Sequence, residues 1–223
     1  MSYKEPYTEK LRVKFLKYIR NAFKALPKLE TPKILELGCG SGQITLELAQ
    51  ITEGQIIAID IDPIQLTELE KKVKGRNLDD RIQIKRMDFL KNSFSQDLFD
   101  LIWEEGVVHI IGLEKSLKEC QRILKPGGYI VLGQAIKAVE PKQDLINRCG
   151  FELINQLNWK ENCWWTDFYA PLEQKVKQIQ EGKENNIFKN ISAIKHEIRM
   201  VKANPKEFDC AHFILKKIDE NHT

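Results

Sequence analysis

The residues best suited to chemistry are three glycines that follow a short apolar run. Residues 34–37 are apolar except at Glu36, and glycine then occupies every second position from Gly38 to Gly42. Glycine adopts backbone angles that are closed to residues with a Cβ, and it lets a ligand approach the chain closely. An apolar run that stops at such glycines is typical of a buried parallel strand ending in a tight turn. The pattern therefore predicts a strand, a ligand-binding turn and a helix.

The spacing of the glycines narrows the class of ligand. A dinucleotide-binding loop requires G-x-G-x-x-G, but Gln43 stands at the sixth position counted from Gly38, and the third glycine comes one residue early, at Gly42. A Walker loop requires Gly-Lys-Ser/Thr, which this stretch lacks. The loop either binds a different ligand or is merely a tight turn between a strand and a helix.

A second predicted strand ends on an acid at the distance expected for a ribose contact. Residues 55–60 are apolar on both faces, and Asp60 lies about 20 residues beyond the glycines. Two neighbouring hydroxyls offer two donors, and a carboxylate can accept from both. Asp62 has a structural explanation instead, as the N-cap of a helix that Pro63 begins. Asp60 is therefore the strongest single binding candidate.

Further acidic residues follow the third and fourth predicted strands. The alternation of residues 81–86 predicts a strand that is wet on one face, with Asp88 shortly after it. The fourth strand, residues 99–103, runs directly into Glu104 and Glu105. In a doubly wound sheet the ligand lies outside the carboxyl ends of the strands, so these acids should face it.

Together these motifs resemble the class I methyltransferases that use S-adenosylmethionine (AdoMet), in their small-molecule branch. The pattern E-x-G-x-G-x-G is similar to the AdoMet loop, and FDLIWEEG from Phe99 resembles the FDLIWSEG of that branch, with Glu104 where serine is usual. The turn LKPGG from Leu124 and the segment WW-x-x-F-Y-x-P-L from Trp164 are further shared features. The D/N-P-P-Y/F motif of enzymes that methylate amino groups of nucleic acids and proteins is absent.

The resemblance implies a cofactor site and assigns roles within it. Glu36 would engage the methionine ammonium of AdoMet, Asp60 the ribose and Asp88 the adenine amino group. Ile61 would pack on the adenine, with an ordinary core position as its alternative, and Asp88 could instead be a turn residue. The full set of cofactor-binding candidates is Glu36, Gly38, Cys39, Gly40, Asp60, Ile61, Asp88, Phe89 and Glu104.

A general base is required only if the methyl acceptor arrives protonated. The candidates are Glu104, Glu105 and His109, which all follow the fourth strand. His109 could instead pack against a helix. The two acids could instead neutralise a cationic substrate or satisfy backbone donors.

Aromatic residues near the carboxyl-terminal part form the candidate substrate site. Trp164, Trp165 and Tyr169 could form a cage around a cationic nitrogen. The alternative is that the two tryptophans anchor a lid to the core.

Composition supports one large core and excludes several classes of protein. The chain has 223 residues, 42% of them hydrophobic, and a net charge of +3, which is too small to argue for nucleic acid. Five cysteines without a C-x-x-C pair predict neither a zinc site nor disulfides, so we expect no metal and reduced thiols in a cytoplasmic protein. No apolar run approaches the roughly 20 residues that span a bilayer.

The expected fold is α/β, because strands and helices alternate. By resemblance it is a three-layer αβα sandwich around a seven-stranded, mostly parallel sheet whose last strand is antiparallel. We expect one domain over residues 1–223, with an N-terminal helix (1–30), an AdoMet-binding core (31–159), a helical insertion (160–207) and the last strand (208–218). Two amphipathic helices in the insertion could form a lid over the substrate, or pair with another subunit as a homodimer.

The expected activity is transfer of a methyl group from AdoMet to a small molecule. Two alternatives stay open. One is a regulatory or inactive subunit that binds AdoMet, and the other is an RNA methyltransferase that uses the basic face of the N-terminal helix. The sequence identifies neither the acceptor nor the element, O, N, S or C, that is methylated.

Overall fold

The computed structural model describes residues 6–188 and 190–218, which fold around one seven-stranded sheet. The strand order is β3-β2-β1-β4-β5-β7-β6, with parallel pairing from β3 through β5 and antiparallel pairing of β7 with both β5 and β6. The predicted mostly parallel sheet with an antiparallel last strand is therefore confirmed. The strands are β1 (Lys33–Leu37), β2 (Gln55–Asp60), β3 (Ile82–Arg86), β4 (Phe99–Glu105), β5 (Leu124–Ala135), β6 (Phe151–Asn158) and β7 (Cys210–Lys217).

Helices cover both faces of the sheet. They are α1 (Pro6–Arg12), α2 (Leu16–Lys24), α3 (Gln43–Ile51), α4 (Pro63–Lys74), α5 (Val108–Ile111), α6 (Leu113–Ile123), α7 (Ile136–Val139), α8 (Gln143–Arg148), α9 (Ala170–Gln180) and α10 (Ile191–Ala203). A π-helical turn, Trp164–Tyr169, leads into α9. Short 3-10 turns occupy Val13–Phe15, Phe89–Lys91, Glu140–Lys142 and Pro205–Phe208.

The central strands are apolar on both faces because helices bury both faces. Leu35 and Leu37 of β1 belong to the apolar cluster beneath α5 and α6, whereas Ile34 belongs to the cluster beneath α2, α3 and α4. These residues are at most 1% exposed. The two clusters form the inner packing of the three-layer sandwich.

A third apolar cluster lies outside these two layers. It joins the N-terminal helices to the predicted insertion, through Leu11, Phe15, Phe168, Ile194 and Ile198 among others. The apolar faces of α9 and α10, which the sequence left without a partner, therefore pack against α1 and the π-helical turn.

Some element boundaries differ from the sequence-based expectation. The N-terminal helix is interrupted at Val13–Phe15 and ends at Lys24, three residues before Pro27. The LKPGG segment is a bulge within β5, since Leu124 pairs with Phe99 while Tyr129 already pairs with Leu101. Within the described ranges, no helix is long and apolar enough to cross a membrane.

Candidate functional site

The glycine loop between β1 and α3 has the geometry that its composition predicts. Gly38, Gly40 and Gly42 have φ angles of 68°, 53° and 83°, which residues with a Cβ rarely adopt. Any Cβ at Gly38 would lie 2.2 Å from a methyl group of Val107, and one at Gly42 would lie 2.0 Å from Leu69. Gly38 and Gly42 are therefore required both by the turn and by close packing, and Gly40 by the turn.

Asp60 lies directly against this loop. Its Oδ2 accepts a hydrogen bond from the Gly40 amide at 2.8 Å, and its Oδ1 accepts one from the Asp62 amide at 2.9 Å. The parallel pairing of β1 with β2 brings the two strand ends together, because Leu37 is paired with Ile59. Asp62 is the N-cap of α4, as predicted, and accepts from the amide of Ile64.

The residues after β2 and β3 form the next part of the same edge. Ile61 is 68% exposed, so it does not occupy a core position. Asp88 is exposed and accepts from the Leu90 amide at 3.1 Å, which gives it the capping role of a turn residue. The side chain of Phe89 is buried in the core. The ligand roles assigned to these residues stay predictions.

Glu36 and Cys39 are both buried at the end of β1. Glu36 is 3% exposed and pairs in register with Ala58 and Trp103 on the neighbouring strands. Cys39 is 7% exposed and donates its amide to the carbonyl of Ile59. Their proposed contacts with a cofactor also stay predictions.

The two adjacent acids of β4 point to opposite faces of the sheet, as strand alternation requires. Glu104 is completely buried and accepts hydrogen bonds from the backbone amides of Val107 and Val108 and from Nε2 of Gln134. Burial raises the pKa of Glu104 to about 7, although these donors act in the opposite direction. Glu104 thus holds the loop after β4 against the glycine loop.

Glu105 belongs to a different network, on the other face. Its Oε1 lies 3.1 Å from Nε1 of Trp103 and 2.5 Å from Nε2 of His212. Nδ1 of His212 in turn lies 3.1 Å from Nε1 of Trp159. His212 could not be found from the sequence, because it stands more than 100 positions from Glu105 and only strand pairing brings the two together.

His109 is exposed in the short helix α5. Two glycines with positive φ, Gly106 at 73° and Gly112 at 87°, bracket this helix. Desolvation by nearby atoms lowers the pKa of His109. Its suggested role as a base stays a prediction.

The predicted aromatic cage already contains a cation of the chain itself. The guanidinium of Arg12 lies 5.6 Å from the ring centre of Trp164 and 5.1 Å from that of Phe168. Two further contacts hold Trp164 in place. Its Nε1 lies 3.2 Å from Sγ of Cys210, and its ring centre lies 4.7 Å from that of Phe15. These contacts match the anchoring role that the sequence left open for the tryptophan.

The other two aromatic candidates lie further along the insertion. Trp165 carries the ammonium of Lys202 over its ring at 5.3 Å. Tyr169 is completely buried, with its hydroxyl 3.3 Å from a carboxylate oxygen of Glu197. Substrate contact by either residue stays a prediction.

The N-terminal helix docks on the glycine loop. Glu9 accepts a hydrogen bond from the hydroxyl of Ser41, and its backbone carbonyl accepts from Nε2 of Gln43 at 3.1 Å. Lys72 donates to the carbonyl of Ser41 at 3.0 Å. A groove of about 740 Å³ separates α1 from α3 and α4 beside this contact. The loop is thus covered from the side of α1.

A family model described as a methyltransferase domain matches residues 34–128. The matched span includes the glycine loop, Asp60 and the acids that end β4. We call residues 34–128, which resemble that domain, the matched core. The remaining residues supply the N-terminal helices, the insertion and the last strands.

Relatives and solved structures resemble the matched core and its surroundings. The sterol 24-C-methyltransferase of Saccharomyces cerevisiae is 26% identical over 176 residues, covering 66% of this chain and 46% of the yeast enzyme. The present chain therefore aligns with less than half the length of that relative.

Two solved structures share the fold. The structure of the cyclase SpnF matches with a TM-score of 0.75 at 16% identity. The match covers 90% of this chain and 80% of the SpnF chain. A SAM-dependent methyltransferase from Geobacter sulfurreducens, in complex with S-adenosyl-L-homocysteine, matches with a TM-score of 0.68 at 16% identity. The match covers 92% of this chain and 90% of the Geobacter chain. At such identities the likeness concerns the fold alone.

Proposed function

We propose that this chain is an AdoMet-dependent methyltransferase that methylates a small molecule by in-line displacement. The observation that carries the proposal is the position of the Asp60 carboxylate against the Gly40 amide, at the mouth of the glycine loop. Methyltransferases among its relatives support the same reaction class.

The residues at this edge fit AdoMet. A carboxylate has about four lone-pair sites, so Asp60 can accept two ribose hydroxyls while it keeps its two amide contacts. The backbone amides of the loop stand at the N-terminus of α3, where the helix dipole favours the carboxylate of the methionine part. The exposed side chain of Ile61 offers an apolar surface for adenine.

AdoMet, when bound, supplies a methyl group that its sulfonium makes reactive. The chain then has to align the acceptor behind that methyl group and exclude water. Alignment of this kind can lower a barrier by roughly 7 to 11 kcal/mol. Two contacts are suited to excluding water. Glu9 connects α1 to the glycine loop, and Glu104 holds the loop that follows β4.

A small acceptor fits the structure better than RNA. Several basic side chains of the N-terminal helices already have partners within the protein. Arg12 lies on aromatic rings, Arg20 pairs with Glu47, and Lys17 lies over the ring of Tyr18. We further infer a cytoplasmic protein, since no disulfide joins the described cysteines. Sedimentation analysis tests the predicted homodimer.

The first test is calorimetric binding of AdoMet and S-adenosylhomocysteine (AdoHcy). We expect Asp60→Ala to lose at least tenfold in affinity, about 1.4 kcal/mol, because the ribose hydroxyls lose their acceptor. Asp62→Ala is the matched control, since it removes a neighbouring carboxylate that caps α4. Equal affinities of Asp60→Ala and the unchanged protein would refute the site.

The second test is AdoHcy formation across a panel of small metabolites. A cyclase shares this fold, so the fold alone does not establish methyl transfer. We expect AdoHcy to form with at least one acceptor. Tight AdoMet binding with no AdoHcy from any acceptor would favour the regulatory or inactive subunit instead.

A further inference from the structure

Three adjacent strands place a carboxylate and an imidazole side by side at the carboxyl end of β4. Glu105 pairs in register with Gly133 of β5, and Gly133 pairs with His212 of β7. The carboxylate of Glu105 lies over Gly133, where a Cβ would come within 1.9 Å of Oε2. A residue without a side chain at position 133 thus lets Glu105 reach across to His212.

The hydrogen-bond network fixes the tautomer of the imidazole. An indole N–H can only donate, so Nδ1 of His212 must accept from Trp159. Nε2 therefore carries the hydrogen and donates to Oε1 of Glu105.

Hydrogen bonds from two aromatic side chains hold the carboxyl group of Glu105 in place. Trp103 and His212 both donate to Oε1, and no Lys or Arg within the described ranges forms an ion pair with this carboxylate. Oε2 receives no hydrogen bond from the described part of the chain. The side chain of Glu105 is 16% exposed, whereas that of His212 is 1% exposed, so access to the network is through Glu105.

We propose that Glu105 is the base that takes a proton from the methyl acceptor, and that His212 is its positioning residue. The inference rests on the proposed methyltransferase function. The acceptor heteroatom gives its proton to Oε2 of Glu105 and forms the new bond to the methyl carbon. The carbon–sulfur bond breaks, and its electron pair stays on sulfur. The acceptor class is therefore a molecule whose O–H or N–H loses a proton on methylation.

The positioning role has a spectroscopic test that needs no acceptor. In protein labelled with 15N-histidine, we expect His212 to show a single Nε2–H tautomer. Trp159→Phe keeps an aromatic ring but removes the donor to Nδ1, so a mixture of tautomers should form. Trp165→Phe is the control, because that ring contacts Lys202 and makes no described contact with His212. An Nδ1–H tautomer in the unchanged protein would overturn the assignment.

The catalytic role has a kinetic test with two groups of acceptors. Catechol, 4-nitrophenol and a primary amine lose a proton on methylation, whereas trimethylamine and dimethyl sulfide do not. We expect AdoHcy only with the first group, and Glu105→Gln should lower kcat roughly 100-fold or more with little change in KM. Turnover of the second group, or an effect of Glu105→Gln on KM alone, would overturn the assignment of Glu105 as the base.

Variants at position 212 separate positioning from simple packing. His212→Gln retains an N–H donor towards Glu105 and should keep most of kcat, whereas His212→Phe should lose most of it and shift the acidic limb of the pH profile. Equal losses in both would overturn the positioning role. Glu152→Gln and His196→Gln, at exposed positions, are the controls.

The outcomes distinguish this assignment from the function on which it rests. No AdoHcy from either group of acceptors would refute both. AdoHcy formation that is insensitive to Glu105→Gln would refute the base while the methyltransferase function stands.

Discussion

Neighbouring side chains on one strand can have unrelated roles. Glu104 and Glu105 look like an acid pair in the sequence. In the structure Glu104 is completely buried, whereas the side chain of Glu105 is partly exposed. Their opposite orientation could be predicted, because strand residues alternate between faces. Their partners could not be predicted, since Gln134 and His212 are brought close only by the pairing of β4 with β5 and of β5 with β7.

The buried carboxylate of Glu104 predicts a pH-dependent stability. Its pKa rises from an ordinary 4.5 to about 7 in the folded protein, so its contribution to stability is full below pH 4.5 and is lost as pH rises through 7. Glu104→Gln copies the shape of the protonated acid and cannot ionise. Relative to this variant, the unchanged protein should lose on the order of 3 kcal/mol between pH 4.5 and pH 8.

Denaturant titration of both proteins at several pH values measures this difference. Glu161→Gln, at an exposed position, is the control and should follow the unchanged protein throughout. Parallel stability curves for Glu104→Gln and the unchanged protein would show that Glu104 is not desolvated as described.

At the scale of elements, the turn from β1 to α3 should tolerate no side chain at Gly42. Alanine there combines an unfavourable φ of 83° with a Cβ 2.0 Å from Leu69. Gly182→Ala separates the two effects, because Gly182 has a φ of 70° but no atom within 4 Å of the added Cβ. We expect Gly182→Ala to cost about 1 to 2 kcal/mol and Gly42→Ala clearly more, in thermal or denaturant unfolding. Equal losses of stability in the two variants would mean that α4, which carries Leu69, shifts readily to make room for the added Cβ.

The elements themselves were largely predictable from local patterns. Apolar runs that end in glycine or an acid gave β1, β2 and β4, and Asp62 with Pro63 gave the start of α4. The interruption of the N-terminal helix and the bulge in β5 were not predictable. Both depend on partners distant in sequence, such as the rings stacked on Phe15 and the Lys125–Asp100 ion pair across β5 and β4.

The whole molecule consists of a sheet with two apolar clusters and a third cluster attached to it. The third cluster joins α1, α9, α10 and the π-helical turn, and it should open without the sheet. Ile198→Ala removes a side chain that is 3% exposed and should destabilise this unit by about 2 to 5 kcal/mol.

Hydrogen exchange followed by mass spectrometry tests this separation. In Ile198→Ala, amides of α1, α9 and α10 should exchange faster while those of β1, β4 and β5 stay protected. Ile130→Ala, in the sheet, should instead accelerate exchange in both parts. Uniform acceleration in Ile198→Ala would mean that the molecule unfolds as one unit.

The fold was predictable because the motifs occur in a characteristic order. The candidate site was predictable only on the side of the glycine loop and Asp60, where strand ends that are close in sequence also lie close in space. The side formed by β5 and β7 depends on long-range pairing, and single-sequence patterns carry little information about such pairing.

The position of β7 has a consequence for synthesis of the chain. β7 lies between β5 and β6 although it comes last in sequence, so a nascent chain has to hold those two strands apart with open edges. Unpaired strand edges can pair with other chains and cause aggregation. The risk of aggregation is therefore greatest before Cys210–Lys217 leave the ribosome. A ribosome stalled before residue 210 should therefore display a chain that chaperones bind and that lacks His212 beside Glu105.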